Sequence, residues 1–161
     1  MATQTINYGT ETAITATNIN SLANDAAKPL PVVDNSSTKA VDEKVHFEVT
    51  LGSSGVSSTG TIELYLLESA ESTTADFTDG INPTSSSDVA SSIKNAVLLR
   101  VLNANANSLV VKCILDLVSD LRGALQNCPK YWSLLVLNKS GAAFAASGHE
   151  VTHTPIKYDV A

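Results

Sequence analysis

The stretch Glu43–Leu51, EKVHFEVTL, alternates without a break. Val45, Phe47, Val49 and Leu51 fall on one side of an extended chain, and Lys44, His46, Glu48 and Thr50 on the other. A period of two marks a strand with one face on a core and one in water, whereas a helical period of 3.6 would mix the two sets. Thr61–Ser69, TIELYLLES, repeats the pattern, with Ile62, Leu64 and Leu66 predicted inward and Glu63 and Tyr65 outward. Between them lies GSSGVSSTG, a Gly/Ser-rich turn, so the two strands are expected to pair as a hairpin with a long tip.

The rest of the chain reads the same way. TQTINYG and TAITATNI are short strand-like runs, and NDAAKPLPVVDNSS, with Pro29 and Pro31 two apart, is expected to cross the surface as an extended connection. AVLLRVLNAN, SLVVKCILDLV, KYWSLLVLNKSG and HEVTHTPIKYDV are further predicted strands, the third being the most apolar. Helix has two openings. SDVASSIKNAV can hold a turn or two capped by Ser87 or Asp88, with Val89, Ile93 and Ala96 on one face. LDLVSDLRGALQN repeats Leu117, Leu121 and Leu125 every four residues, although Gly123 and its β-branched lead-in favour strand followed by loop. About eight strands with little helix predict an all-β sandwich of one domain, with residues 1–31 as an N-terminal strand or arm and 32–161 as the sandwich.

Composition agrees and narrows the function. Of 161 residues, 19 are Ser and 16 Thr, while charged residues make up only 16%. Thr suits strands, and Ser suits turns and caps. The net charge is −6 and the ten Lys and Arg are scattered, so the basic stripe that tracks phosphates is missing and no nucleic-acid partner is expected. Residues 1–20 show neither a basic nor an apolar signal region, and no apolar run is long enough to span a bilayer, so neither secretion nor a membrane is expected. Cys113 and Cys128 are then expected as reduced thiols, with a disulfide left open.

One motif argues for chemistry. His149-Glu150-Val151-Thr152-His153, HEVTH, fits H-E-x-x-H, the zinc-protease signature. On a helix the two His would lie about 6 Å apart along the axis and share one ion. Here Val151, Thr152 and Thr154 are β-branched, Gly148 precedes the motif and Pro155 follows it. In a strand the histidines separate by about 13 Å, too far for one zinc. Downstream, Asp159 is the sole further candidate ligand. The stretch is therefore expected to be a late strand at an edge of the sandwich with a solvent-exposed face. His149, Val151 and His153 would point one way and Glu150 and Thr152 the other. Alanine at either His should then change stability by less than about 0.5 kcal/mol, as at surface positions generally.

Other chemistry is thinner still. There is no G-x-S-x-G elbow, no C-x-x-C and no phosphate-binding glycine loop, and DFTDGIN reads as a turn because it lacks the order of a calcium loop. The aromatics are too dispersed for a carbohydrate platform. Tyr131-Trp132 is adjacent, but in a strand one of the two must point into the core. No catalytic residue, metal or cofactor is expected.

In order, TGTIELYLLES, the DFTDGI turn, KNAVLLRVLNAN and CPKYWSLLVLNKSGAAFAASG resemble small virion structural proteins of tailed bacteriophages, over roughly Val32 to Ala146. The motifs are strand-plus-turn units whose order is the informative part, and LQNCPKYW departs from the shorter L-P-x-W join usual there. The resemblance implies a jelly-roll sandwich that decorates or cements a capsid, or else sits in the tail as a tube, adaptor or fibre anchor. A glycan-binding surface jelly roll is a third possibility. The implied partners are the major capsid protein and neighbouring copies of the chain. The implied location is the virion, after synthesis in the bacterial cytoplasm. The weakly charged, β-prone segment from Thr3 to Ile19 is the candidate contact arm, with Thr3, Thr5, Ile6, Tyr8, Thr12 and Ile14 as its contact residues, able to add a strand to a neighbour's sheet. The same segment reads equally as the first strand of the sandwich.

Overall fold

In a computed structural model the chain is described over residues 4–71, 77–85, 87–119 and 127–160. Ten strands form two antiparallel five-stranded sheets packed face to face. They are β1 (Gln4–Tyr8), β2 (Thr12–Ile14), β3 (Ala27–Pro29), β4 (Val33–Asp34), β5 (Asp42–Thr50), β6 (Thr61–Ser69), β7 (Val97–Asn103), β8 (Val110–Asp116), β9 (Tyr131–Lys139) and β10 (Glu150–Val160). Sheet A runs β1-β10-β5-β8 with β2 also on β10, and sheet B runs β3-β9-β6-β7 with β4 also on β9. Among the described residues, helix is confined to 3₁₀ turns such as Thr17–Ile19 and Ala90–Ser92. The end of the leucine repeat, at Leu121 and Leu125, lies outside the described residues, as do Thr3, Met1 and Ala161.

The alternating strands set the core. Val45, Phe47 and Val49 of β5 face Ile62, Leu64 and Leu66 of β6 across the sandwich, and all six are buried. Burying side chains of this size stabilises by roughly 1.5–3 kcal/mol each. The predicted faces of both strands hold, but the predicted hairpin does not. β5 pairs with β8 and β10 in sheet A, whereas β6 pairs with β7 and β9 in sheet B. Residues 51–60 cross between the sheets. Two strands that each offer one apolar face can bury those faces against each other only from opposite layers.

Strand β9 breaks the alternation for a physical reason. Trp132, Leu134 and Val136 enter the main core, while Leu135 and Leu137 on its other face are also buried. A second apolar cluster covers that outer face: Phe77 and Ile81 pack there with Ala27 and Leu67, flanked by Val89, Ile93 and Ala96. The three residues predicted to share a face do meet one surface, delivered by a single 3₁₀ turn. Asp79 pins this connection, its carboxylate accepting hydrogen bonds from the backbone N–H of Lys94, Asn95 and Ala96 and from the Asn95 side chain. Asp88 fastens the other end by accepting from the N–H of Ala27 and Ala90.

The Pro29–Pro31 segment is extended as predicted, but it does not cross the surface. β3 and β4 pair with β9, and Leu30 and Val33 are buried in the main core. Proline is tolerated because both strands lie at a sheet edge, where an absent N–H costs no ladder bond. Residues 12–30, within the segment expected as an N-terminal strand or arm, supply strands to both sheets and Ile14, Ile19, Leu22 and Leu30 to the core.

Candidate assembly surface

The first strand comes in two pieces, and Pro155 explains the break. Tyr8 pairs with Ile156 and Thr12 with His153, so three residues of the first strand face two of β10. Pro155 has no N–H to give at that point, and only its carbonyl is used, accepting from Gly9 N–H at 2.8 Å. A Cβ on Gly9 would stand 2.6 Å from Pro155 Cγ, so this close approach requires glycine. Beyond the break β5 also stops, its last partner being Asp42 opposite Ile156. Residues 4–8 and 157–160 therefore continue as a two-stranded ribbon past the body of the sandwich.

Among the described residues, no second sheet covers this ribbon. Thr5, Ile6, Asn7 and Tyr8 are all exposed, although they alternate between its two faces. Ile6 is 59%, Tyr8 58% and Tyr158 51% exposed. Cross-strand register places Ile6 beside Tyr158 and Tyr8 beside Ile156, so these apolar groups share one face. The other half of sheet A's outer face is charged. Lys44 bonds Asp116 at 2.6 Å and Lys112 bonds Glu48 at 2.7 Å across the β5–β8 ladder. The hydrogen bond to Asp116 holds the Lys44 ammonium above its ordinary range.

Of the candidate contact residues, Thr5, Ile6 and Tyr8 lie on this ribbon and Thr12 is exposed on β2. Ile14 is not a surface contact. It is 7% exposed and packs in the main core, because β2 sits back on the sandwich beside Val151. Within this segment β2 sits on the sandwich and β1 projects from it.

The HEVTH stretch is a strand from Glu150 onward, with the predicted alternation of faces. Neither the edge nor the exposed face survives. β10 lies inside sheet A between β1/β2 and β5, and the Val151–His153 side faces inward. His153 Nδ1 lies 3.0 Å from Oε2 of Glu43, a carboxylate only 1% exposed, and its ring stands edge-on to buried Trp132 at 5.8 Å. Glu43 shares the parity of Val45, Phe47 and Val49, which is the sequence signal that it points inward. Its partner lies 110 residues away and leaves no local trace. His149 is half-buried. Its Nδ1 accepts from Thr50 N–H and its Nε2–H donates to Ala145 O, so the neutral ring is used at both ends. Burial lowers its pKa, against the Ala145 bond, which raises it.

The two rings therefore serve different partners, and the helix that a shared zinc would need is not formed. Among the described residues no three His, Cys, Asp or Glu are placed to hold one ion. His153 also lines a cleft of about 360 Å³ between β2 and β4, walled by Thr12, Ala13, Ile14, Pro31, Val32 and Val33. Cys113 and Cys128 are both thiols, and burial followed by the nearby Glu43 and Asp42 pushes the Cys128 thiol far up. Among the described residues no helix is long and apolar enough to cross a membrane.

Comparison of the chain with protein-family models, curated proteins and solved structures finds no match.

Proposed function

We propose that this chain is a structural protein of a tailed-phage particle, a decoration or cement protein that adheres to the outside of the head lattice and carries out no catalysis. The observation that carries the reading is the ribbon of β1 and the end of β10. An isolated two-stranded ribbon is marginal in water, and this one exposes Ile6, Tyr8 and Tyr158 on a single face. Such a ribbon gains stability when a neighbour covers it. Its partners in this reading are the major capsid protein and neighbouring copies, and several weak contacts per copy sum to a firm hold through avidity.

The strand order supports a jelly roll. Counting β1 with β2 and β3 with β4 as single strands leaves eight. The first pairs with the last (β10), the second with the seventh (β9), the third with the sixth (β5 with β8) and the fourth with the fifth (β6 with β7). One long antiparallel ribbon, wrapped so that β10 meets β5 and β9 meets β6, gives both sheets. Viral capsid domains use this architecture, though fold alone does not fix function.

The test is the amount of this chain in purified particles, measured by quantitative mass spectrometry against the major capsid protein. Decoration predicts hundreds of copies, in a fixed ratio to the lattice. A dozen or fewer would move the protein to the tail, and its absence would overturn the virion reading.

A further inference from the structure

The ribbon has an open edge as well as an apolar face. Because Gly9 N–H bonds to Pro155 O, the alternation of an antiparallel ladder turns the backbone groups of Asn7 and Thr5 toward β10. Those of Gln4, Ile6 and Tyr8 then point away from it. Exposed edges are normally guarded by charge, proline or shortness. β8 carries Lys112 and Asp116, β7 carries Arg100, β3 has Lys28 and Pro29, and β4 has two residues including Asp34. Among the described edge strands of five or more residues, β1 (QTINY) alone has neither a charge nor a proline.

We infer that β1 pairs antiparallel with β1 of a second copy of this chain across a two-fold axis at Ile6, joining two A sheets into one. The sequence is self-complementary in that register. Ile6 meets Ile6 of the other copy with two backbone hydrogen bonds, and each of the two Gln4–Tyr8 pairings adds two more. The Ile6 and Tyr8 side chains of the two copies then share a face, where cross-strand apolar pairs stabilise. Self-complementarity favours a second copy, and the charge of the molecule does not oppose it at this strand. The molecule carries −6, and β1 is a strand on which two identical acidic chains can meet without like charges opposed. The inference rests on reading the ribbon as the contact arm, but its test needs no particle.

The experiment is sedimentation of the full chain, with Ile6→Lys and Ile6→Glu run alone and as an equimolar mixture. Ile6 N–H faces away from β10, so either substitution spares the ladder within the chain. The expected result is a dimer for the parent, at least about tenfold weaker association for each variant alone, and recovery in the mixture, where opposite charges meet at the axis. A parent that stays monomeric at about 100 µM overturns the inference. So does a dimer that survives Ile6→Lys, or a mixture that does no better than its components. If the variants misfold, amide exchange on the parent decides. The Ile6 and Tyr8 amides should gain protection with concentration while Asn7 stays constant, and an Ile6 amide indifferent to concentration overturns the inference. A monomer would not touch the copy-number result, and a low copy number would not touch the dimer.

Discussion

Replacing His153 by alanine tests how the inner face of β10 is built. Glu43 is 1% exposed, and the imidazole at 3.0 Å is the side-chain partner of its carboxylate. Removing the imidazole takes a hydrogen bond from this buried carboxylate, at a cost of about 1.5–3 kcal/mol. The edge-on contact with Trp132 adds about 0.5–1.5 kcal/mol. The side chain of His153 keeps 14% of its exposure, so some water reaches the pair and a loss toward the lower end of the two contributions together, about 2 kcal/mol, is expected. The assay is urea unfolding of the parent, His153→Ala, Glu43→Gln and the double variant. Each single variant should be clearly destabilised, and the double should cost well under the sum, with a coupling of at least about 1.5 kcal/mol. A loss below about 0.5 kcal/mol for His153→Ala, the value of a surface site, would refute the buried-pair account. Strict additivity would refute the pairing.

Three further outcomes follow from named contacts. His149 is held neutral with its pKa below 6.5, so the folded state binds fewer protons than the unfolded chain between those values. Stability should therefore fall as pH drops below about 6.5, and His149→Gln should flatten that part of a urea-midpoint profile. Burial pushes the Asp79 carboxyl up, but the bonds from Lys94, Asn95 and Ala96 outweigh it and hold it below 3.8, so the stability it contributes is present above that value and lost as pH falls through the lower folded one. Asp79→Ala should speed amide exchange at Lys94, Asn95 and Ala96 while leaving the amides of β5 unchanged. Gly9→Ala forces a Cβ against Pro155, and should expose the Asn7 amide with less than about 1 kcal/mol of global loss, because the ribbon lies outside the core.

The faces of β5 and β6 were legible in the sequence because alternation depends only on neighbouring residues. Their partners were not, because any strand with one apolar face fits either layer, and the choice depends on the ten residues between them. The Leu135 and Leu137 side of β9 read only as a very apolar strand. Its cover comes from residues 77–96, whose polar composition hides Phe77, Ile81 and Ile93. HEVTH was legible as a strand from its β-branched residues, Gly148 and Pro155. Its burial was not, because Glu43 and Trp132 come to His153 from other strands. Low charge and β-propensity marked residues 3–19 as strand-forming. The division into a projecting β1 and a β2 seated on the sandwich depends on Pro155, about 140 residues away in the chain and adjacent in space.

In the proposed role, the ribbon is the part of this protein that holds it to its neighbours. A density map of an intact particle at side-chain resolution tests it most directly. The expected result is this sandwich on the outside of the head lattice, with residues 4–8 and 157–160 buried at contacts and Ile6, Tyr8 and Tyr158 shielded from solvent. A copy seated in the lattice with that ribbon in open solvent, or a head without this chain, would contradict it.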